Sequence, residues 1–431
     1  MMRIQSRLSN FMRIVLLGWL LLSIQSVQAG DWKTESLQVT DAEIPLQILP
    51  ASTATRARMV WLPSEYGILS QERVLAEHLS EMGVESWMAD FYEALFAAPT
   101  PSSLEQIPAT WIKTLIDKSL EDGVPVWILA PNRAAKLALD GLVLRSQEGV
   151  TSTPGVILLN PNLYVQTPQP GEAAVYWSQV DAANLSVTVL QSELSPWRWR
   201  LTELAQHFAN GGSDVFLQML PKVRDRFYFR PDAMPIEQRA ASHLAQTITR
   251  AMYLQLPYLS KARPLLNSAA LEAKTEVQAD KKSLDLQPYK GRQSLALSLF
   301  DLEGNQHDLK ALQGKVVLVN FWASWCPPCV HEMPSMADLK RRYRDADFEI
   351  LAVNLGEEAE AIDQFRAQHP VNFPILLDQD GIAVKEWRIF AYPSSYVVDK
   401  NGRIRYALFG ATDWMQQDTL QKIGALLDEK R

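Results

Sequence analysis

Residues 320–329 read Asn320-Phe321-Trp322-Ala323-Ser324-Trp325-Cys326-Pro327-Pro328-Cys329. The stretch ends a continuous apolar run that starts at Val316, as expected of a strand buried on both faces. The residues after Cys326 read as a helix, so the cysteine pair falls where a strand becomes a helix. A thiolate is the reactive form of cysteine, and the free N–H groups and dipole of a helix N-terminus favour its negative charge. Cys326, first and more exposed, is the expected nucleophile. Cys329, one turn further in, is the expected resolving thiol. The competing reading is half of a zinc site, which needs two more cysteine or histidine ligands at matching spacing. The chain has only these two cysteines, and its six histidines are scattered. Redox chemistry is the stronger reading, with no metal and no cofactor expected.

Outward from this motif, strands are expected at 316–322, 348–355 and 373–377. Two more, at 394–399 and 404–409, flank Asn401-Gly402, a strong hairpin signal. Asp413 with Gln416 reads as the capping box of a last helix bearing Leu420, Ile423, Leu426 and Leu427.

This region, about 294–428, resembles the thioredoxin superfamily and, more closely, its exported TlpA/ResA-like branch, which includes cytochrome c maturation reductases. The motif 320–329 is specific for it. The resemblance implies that Pro334 kinks the active-site helix and that Tyr392-Pro393 forms a cis-proline loop beside the cysteines. It marks Trp325, Tyr392 and Pro393 as substrate-binding. The stretch 357–373 resembles the central insertion of the branch. The buried acid of ordinary thioredoxin would fall at position 320, here Asn320. Glu332, three residues past Cys329, matches an acid typical of the branch and is a candidate catalytic proton acceptor for Cys329. The competing reading of Glu332 is a solvated helix acid, since helical acids are usually exposed.

The chain is 431 residues long, too many for one ordinary core. Residues 1–29 read as a signal peptide. Arg3, Arg7 and Arg13 lead an apolar run from Ile14 to Ile24, and Val27-Gln28-Ala29 is a small-residue cleavage site. The run is shorter than the ~20 residues of a membrane span. An exported, periplasmic or otherwise extracytoplasmic protein is expected, with an uncleaved anchor as the alternative. Export leads to an oxidising compartment. With both cysteines in the motif, none is left for a structural disulfide. The formal net charge of −7 argues against a nucleic-acid partner.

Residues 30–262 alternate apolar runs (58–62, 85–89, 124–130, 155–159, 186–190, 214–219) with helical stretches such as 72–82 and 134–144. This is the pattern of a doubly wound, parallel α/β domain. It resembles an α/β-hydrolase. In that reading Ala130-Pro131-Asn132-Arg133-Ala134 stands at the nucleophile elbow, but the nucleophile position holds Asn132. Glu193 could be the triad acid, while 220–231 has no histidine to follow the last strand. His207 and His243 are read as packing or surface residues, and Ser64 as a loop serine. The domain is expected to be non-catalytic and to bind a client or partner. Trp197-Arg198-Trp199-Arg200 and the stretch 224–230, which mix arginine with aromatics, suit an interaction surface and equally suit strand or loop edges. The hydrophobic rhythm fails over 263–293, read as a linker before a domain at 294–431.

The whole is expected to be a thiol–disulfide oxidoreductase that reduces or exchanges disulfides of extracytoplasmic proteins. Its partners would be a disulfide-bearing protein and a thiol–disulfide electron donor, a membrane reductant being one candidate. Two alternatives stand beside it. One is a binding or adaptor protein with a secondary redox domain. The other is a thiol peroxidase, because the insertion-bearing fold also serves peroxiredoxins.

Overall fold

The computed structural model describes residues 31–166, 168, 174–272 and 285–429. The leader read at 1–29 lies outside them. Two sheets dominate. The first has eight strands: β1 (Lys33–Gln38), β2 (Glu43–Leu49), β3 (Ala57–Trp61), β4 (Val84–Ala89), β5 (Val126–Pro131), β6 (Gly155–Leu159), β7 (Ser186–Leu194) and β8 (Asp214–Arg224), in the order β1-β2-β4-β3-β5-β6-β7-β8. β2 runs antiparallel to both β1 and β4, and β3 to β8 are parallel.

The alternation of strand side chains divides the core in two. Val60, Ile128, Val156, Leu158, Val187 and Val189 face the helices Ala109–Leu120, Ala134–Gln147 and Leu201–Asn210. Met59, Trp61, Leu129, Ile157 and Leu159 face the helices Ser70–Glu81 and Leu244–Leu259. Both faces of the sheet are therefore covered, as a parallel sheet requires.

The hairpin β1–β2 is absent from the sequence reading, whose first strand starts at 58. β1 carries Lys33, Thr34, Glu35 and Ser36 to solvent and buries only Leu37, and β2 is interrupted by Pro45. Neither has the pattern that marks a buried strand. β7 and β8 extend beyond the stretches read from sequence.

The second part of the chain opens with β9 (Gln287–Pro288) and a separate hairpin that joins β10 (Ser298–Phe300) to β11 (Gln306–Asp308). It continues with β12 (Val316–Trp322), β13 (Phe348–Leu355), β14 (Ile375–Asp378), β15 (Ser394–Val398) and β16 (Ile404–Phe409). The second sheet has the order β14-β13-β12-β15-β16-β9. β12 lies inside it, parallel to β13 and antiparallel to β15. Every residue of β12 is buried. The helices Pro327–Arg342 and Gln417–Asp428 pack on one face of this sheet.

One sequence expectation is corrected here. The last helix starts at Gln417 with Gln416 as its cap residue, so Asp413 does not open it. Asp413 closes a preceding turn instead, accepting from the Met415 N–H at 2.9 Å. The described ends of the stretch read as a linker each make contacts with the neighbouring sheets. Arg263 is buried and donates to Asp214 at 2.7 Å, while Gln287–Pro288 pairs with β16 and buries Leu286 and Tyr289 beside it. Charges and prolines in that stretch hid its anchoring residues. Among the described residues no helix is long and apolar enough to cross a membrane.

Candidate active site

β12 aims its C-terminal end at the cysteines. The chain leaves the sheet after Trp322, turns through Ala323, Ser324 and Trp325, and enters the helix Pro327–Arg342 with Cys326 as its cap. Cys326 and Cys329 are joined, with S–S 2.09 Å. Cys326 is 6% exposed and Cys329 fully buried. Pro327 and Pro328 stand at the first two helical positions, where their missing N–H groups remove two donors that a helix start would offer. The first available one is the Cys329 N–H, which points at the Cys326 sulfur at 3.3 Å. That geometry favours negative charge on Cys326.

The turn is fastened from the side. Glu357, where the inserted segment begins, accepts from the Ser324 N–H at 2.8 Å, from the Ser324 hydroxyl and from Asn354 Nδ2 at 2.8 Å. The sequence reading placed Glu357 only in the insertion and gave it no role here. Its signal, an acid just past the end of the adjacent strand, is too common to single out.

Glu332 lies one turn past Cys329 and is 2% exposed, which excludes a solvated surface acid. Its Oε1 accepts from Asn320 Nδ2 at 2.8 Å, and its Oε2 from the Thr412 N–H at 3.2 Å and Trp414 Nε1 at 3.3 Å. Burial pushes its carboxyl up to about 7, partly offset by these donors. Asn320 also donates to the Ser395 hydroxyl at 2.9 Å. The residue in place of the usual thioredoxin acid thus holds another acid. Trp414, Thr412 and Ser395 were missed in the sequence because they come from distant segments.

The Tyr392–Pro393 peptide is cis. Pro393 is buried, and the Tyr392 ring meets Trp325 edge-on at 5.6 Å. The structure therefore gathers Cys326, Cys329 and Glu332 along one helix start, and Trp325 with the 392–393 loop beside it. The first domain also reaches this place. Arg224 Nη1 donates to the Trp325 carbonyl at 3.4 Å, and Trp199 lies against Gly381. The sequence left the two arginine–aromatic stretches undecided, and both supply groups to this contact.

The hydrolase positions of the first domain do not assemble into a triad. Asn132 sits at the β5–helix turn with φ 49°. Glu193 accepts from the Lys222 N–H at 2.7 Å. His207 pairs with Asp181 at 2.9 Å, and His243 contacts the Arg239 carbonyl. Ser64 is buried, and its hydroxyl accepts from the Tyr66 N–H.

Residues 291–407 match the AhpC/TSA family. The chain is 37% identical over 112 residues to thiol-disulfide oxidoreductase ResA of Geobacillus kaustophilus, covering 26% of this chain and 64% of that relative. It is 34% identical over 134 residues to the ResA of Bacillus thuringiensis subsp. konkukian, covering 31% of this chain and 78% of the relative. The crystal structure of StoA from Bacillus subtilis aligns with 25% identity and a TM-score of 0.27, covering 29% of this chain and 96% of that one. Through a C-terminal part of thioredoxin-like α/β fold, the chain belongs to the ResA-like thiol–disulfide oxidoreductases.

Proposed function

We propose that the protein reduces disulfides of extracytoplasmic proteins through Cys326 and Cys329. The observation that carries the reading is the cysteine pair at a helix start with a buried carboxylate one turn behind it. In the dithiol form, the Cys326 thiolate attacks a client disulfide. A mixed disulfide forms and one client thiolate leaves. Cys329 passes its proton toward Glu332, directly or through water, and attacks the Cys326 sulfur. The second client thiol is released, and the chain is left as its disulfide. Two electrons have gone to the client, and a dithiol donor restores the pair. Trp325, Tyr392 and Pro393 line the path of the client.

The experiment is capture. A Cys329→Ser chain should accumulate mixed disulfides with clients, and Cys326→Ser should accumulate none. Equal trapping by both variants would reverse or abolish the assigned roles. A client complex that survives loss of both cysteines would favour an adaptor. Catalytic peroxide turnover would favour a thiol peroxidase.

The first domain is read as a hydrolase-like scaffold without hydrolase chemistry. The strand order with an antiparallel β2 and the turn at Asn132 support the scaffold, and the unassembled triad supports the lack of chemistry. The basic and apolar leader supports export. N-terminal sequencing of the exported protein is expected to start near Gly30, and an intact leader in the membrane fraction would show an anchor instead.

A further inference from the structure

The redox site lies under the first domain. Segment 196–200 lies against Gly356 at the end of β13, Gly381, Lys385 and Phe390, the last shortly before the 392–393 loop. A Cβ built on Gly381 would stand 2.3 Å from the Trp199 ring, and Lys385 Nζ is 5.4 Å from that ring's centroid. Arg198 occupies the space beside Gly356, and the Arg200 guanidinium lies 4.7 Å over Phe390. Arg224, on the Trp325 carbonyl, is held in place by buried Glu237 at 2.6 Å and by Asp232 at 3.1 Å. These contacts reach the turn before Cys326, the start of the insertion at Gly356 and the stretch leading to Pro393. Cys326 is 6% exposed, while Pro327 and Pro328 face solvent.

Disulfide exchange needs three sulfurs in line, so the incoming disulfide must bring its flanking chain up to Cys326. A small disulfide can approach beside the two prolines. A disulfide set in a folded surface meets segment 196–200 first. We propose that the first domain is a cap that sets the size selectivity of the redox site. With the cap seated, small and flexible disulfides reach Cys326. Disulfides held in a protein surface react only from the fraction of molecules in which segment 196–200 has lifted. The seated cap leaves Trp325 Nε1 and Asp225 Oδ1 buried with no hydrogen-bond partner among the described residues. Lifting it lets water or a client satisfy them, which favours a reversible contact.

The inference rests on the oxidoreductase reading, and the test separates the two. The full chain is reduced, freed of reductant, and mixed in single turnover with glutathione disulfide or with insulin. Two variants disturb the cap from opposite sides. Trp199→Ala removes the ring. Gly381→Asn keeps the left-handed backbone at φ 64°, which asparagine tolerates, and pushes a side chain into that ring. Both are expected to speed reaction with insulin by about ten-fold, leaving the glutathione disulfide rate within about two-fold, because only the open fraction changes. A rise in one variant alone, in neither, or equally with both substrates overturns the cap. A wild-type chain that oxidises with neither disulfide overturns the oxidoreductase reading and the cap with it.

Discussion

Glu332 holds its proton tightly because its surroundings are dry, even though three groups donate to it. As a base for Cys329 it works only when ionised, so the resolving step should slow as pH falls below about 7. Glu332→Gln should keep the fold, slow disulfide reduction by about ten-fold or more, and flatten that limb of the pH profile. A glutamine variant with the wild-type rate and profile would leave solvent as the proton route. The same residue makes a stability prediction. Its carboxyl sits at about 7 when folded, against an ordinary 4.5, so the folded state binds the proton more strongly than the unfolded one. Stability therefore falls as pH rises from about 4.5 to 7, and Glu332 accounts for at most roughly 3 kcal/mol of that fall. Glu72 and Asp225, each pushed up to about 7 by burial, act in the same direction in both proteins. The difference between the denaturation curves of the wild type and the Glu332→Gln variant, taken across this pH range, isolates Glu332. At this scale the sequence was informative where neighbours are close along the chain. Cys326, Cys329 and Glu332 share one helix and could be read together. Their partners Thr412 and Trp414 come from the far end of the domain, and no local pattern announces them.

Among the elements, the turn between β5 and the helix Ala134–Gln147 depends on one backbone conformation. Asn132 adopts φ 49°, a conformation that asparagine and glycine tolerate and alanine resists. Asn132→Ala should destabilise the chain by about 1 kcal/mol and Asn132→Gly by less, measured by urea unfolding. Equal effects would mean that the backbone there is not what asparagine serves. A serine at this position should not react with a fluorophosphonate probe, because His207 is engaged with Asp181 and no triad is assembled around it. Strands were legible where both faces are buried, as in β5, β6 and β12, since nearly every residue there is apolar or small. β1 was not, because one polar, solvent-facing edge strand looks like a loop until its partner is known. The start of the last helix was misplaced because Asp413 and Gln416 have the spacing of a capping box but close a turn instead.

For the whole molecule, the joint between the two sheets is the feature the sequence could least reveal. Trp197, Arg198, Trp199 and Arg200 had the composition of an interaction surface, but composition does not name the partner, which is the rest of the same chain. Phe390 makes the point from the other side. It precedes the cis peptide of the second domain, yet it is 3% exposed within the core of the first, edge-on to Tyr164 at 5.8 Å. Phe390→Ala should remove about 3 kcal/mol of burial from this joint. Calorimetry should show the wild-type domains melting together and the variant splitting into two transitions. A single unshifted transition would show that Phe390 does not couple them.

The seat of Phe390 also bears on how the chain is assembled. Synthesis delivers the N-terminus first, and domains fold as they emerge. All strands of the first sheet precede Phe390 in the chain, so a first sheet that folds as it emerges leaves Tyr164 without its edge-on partner in the meantime. A newly made first domain thus presents an aromatic socket to its surroundings until its own chain fills it. During that interval the socket is open to chaperones and to other copies alike.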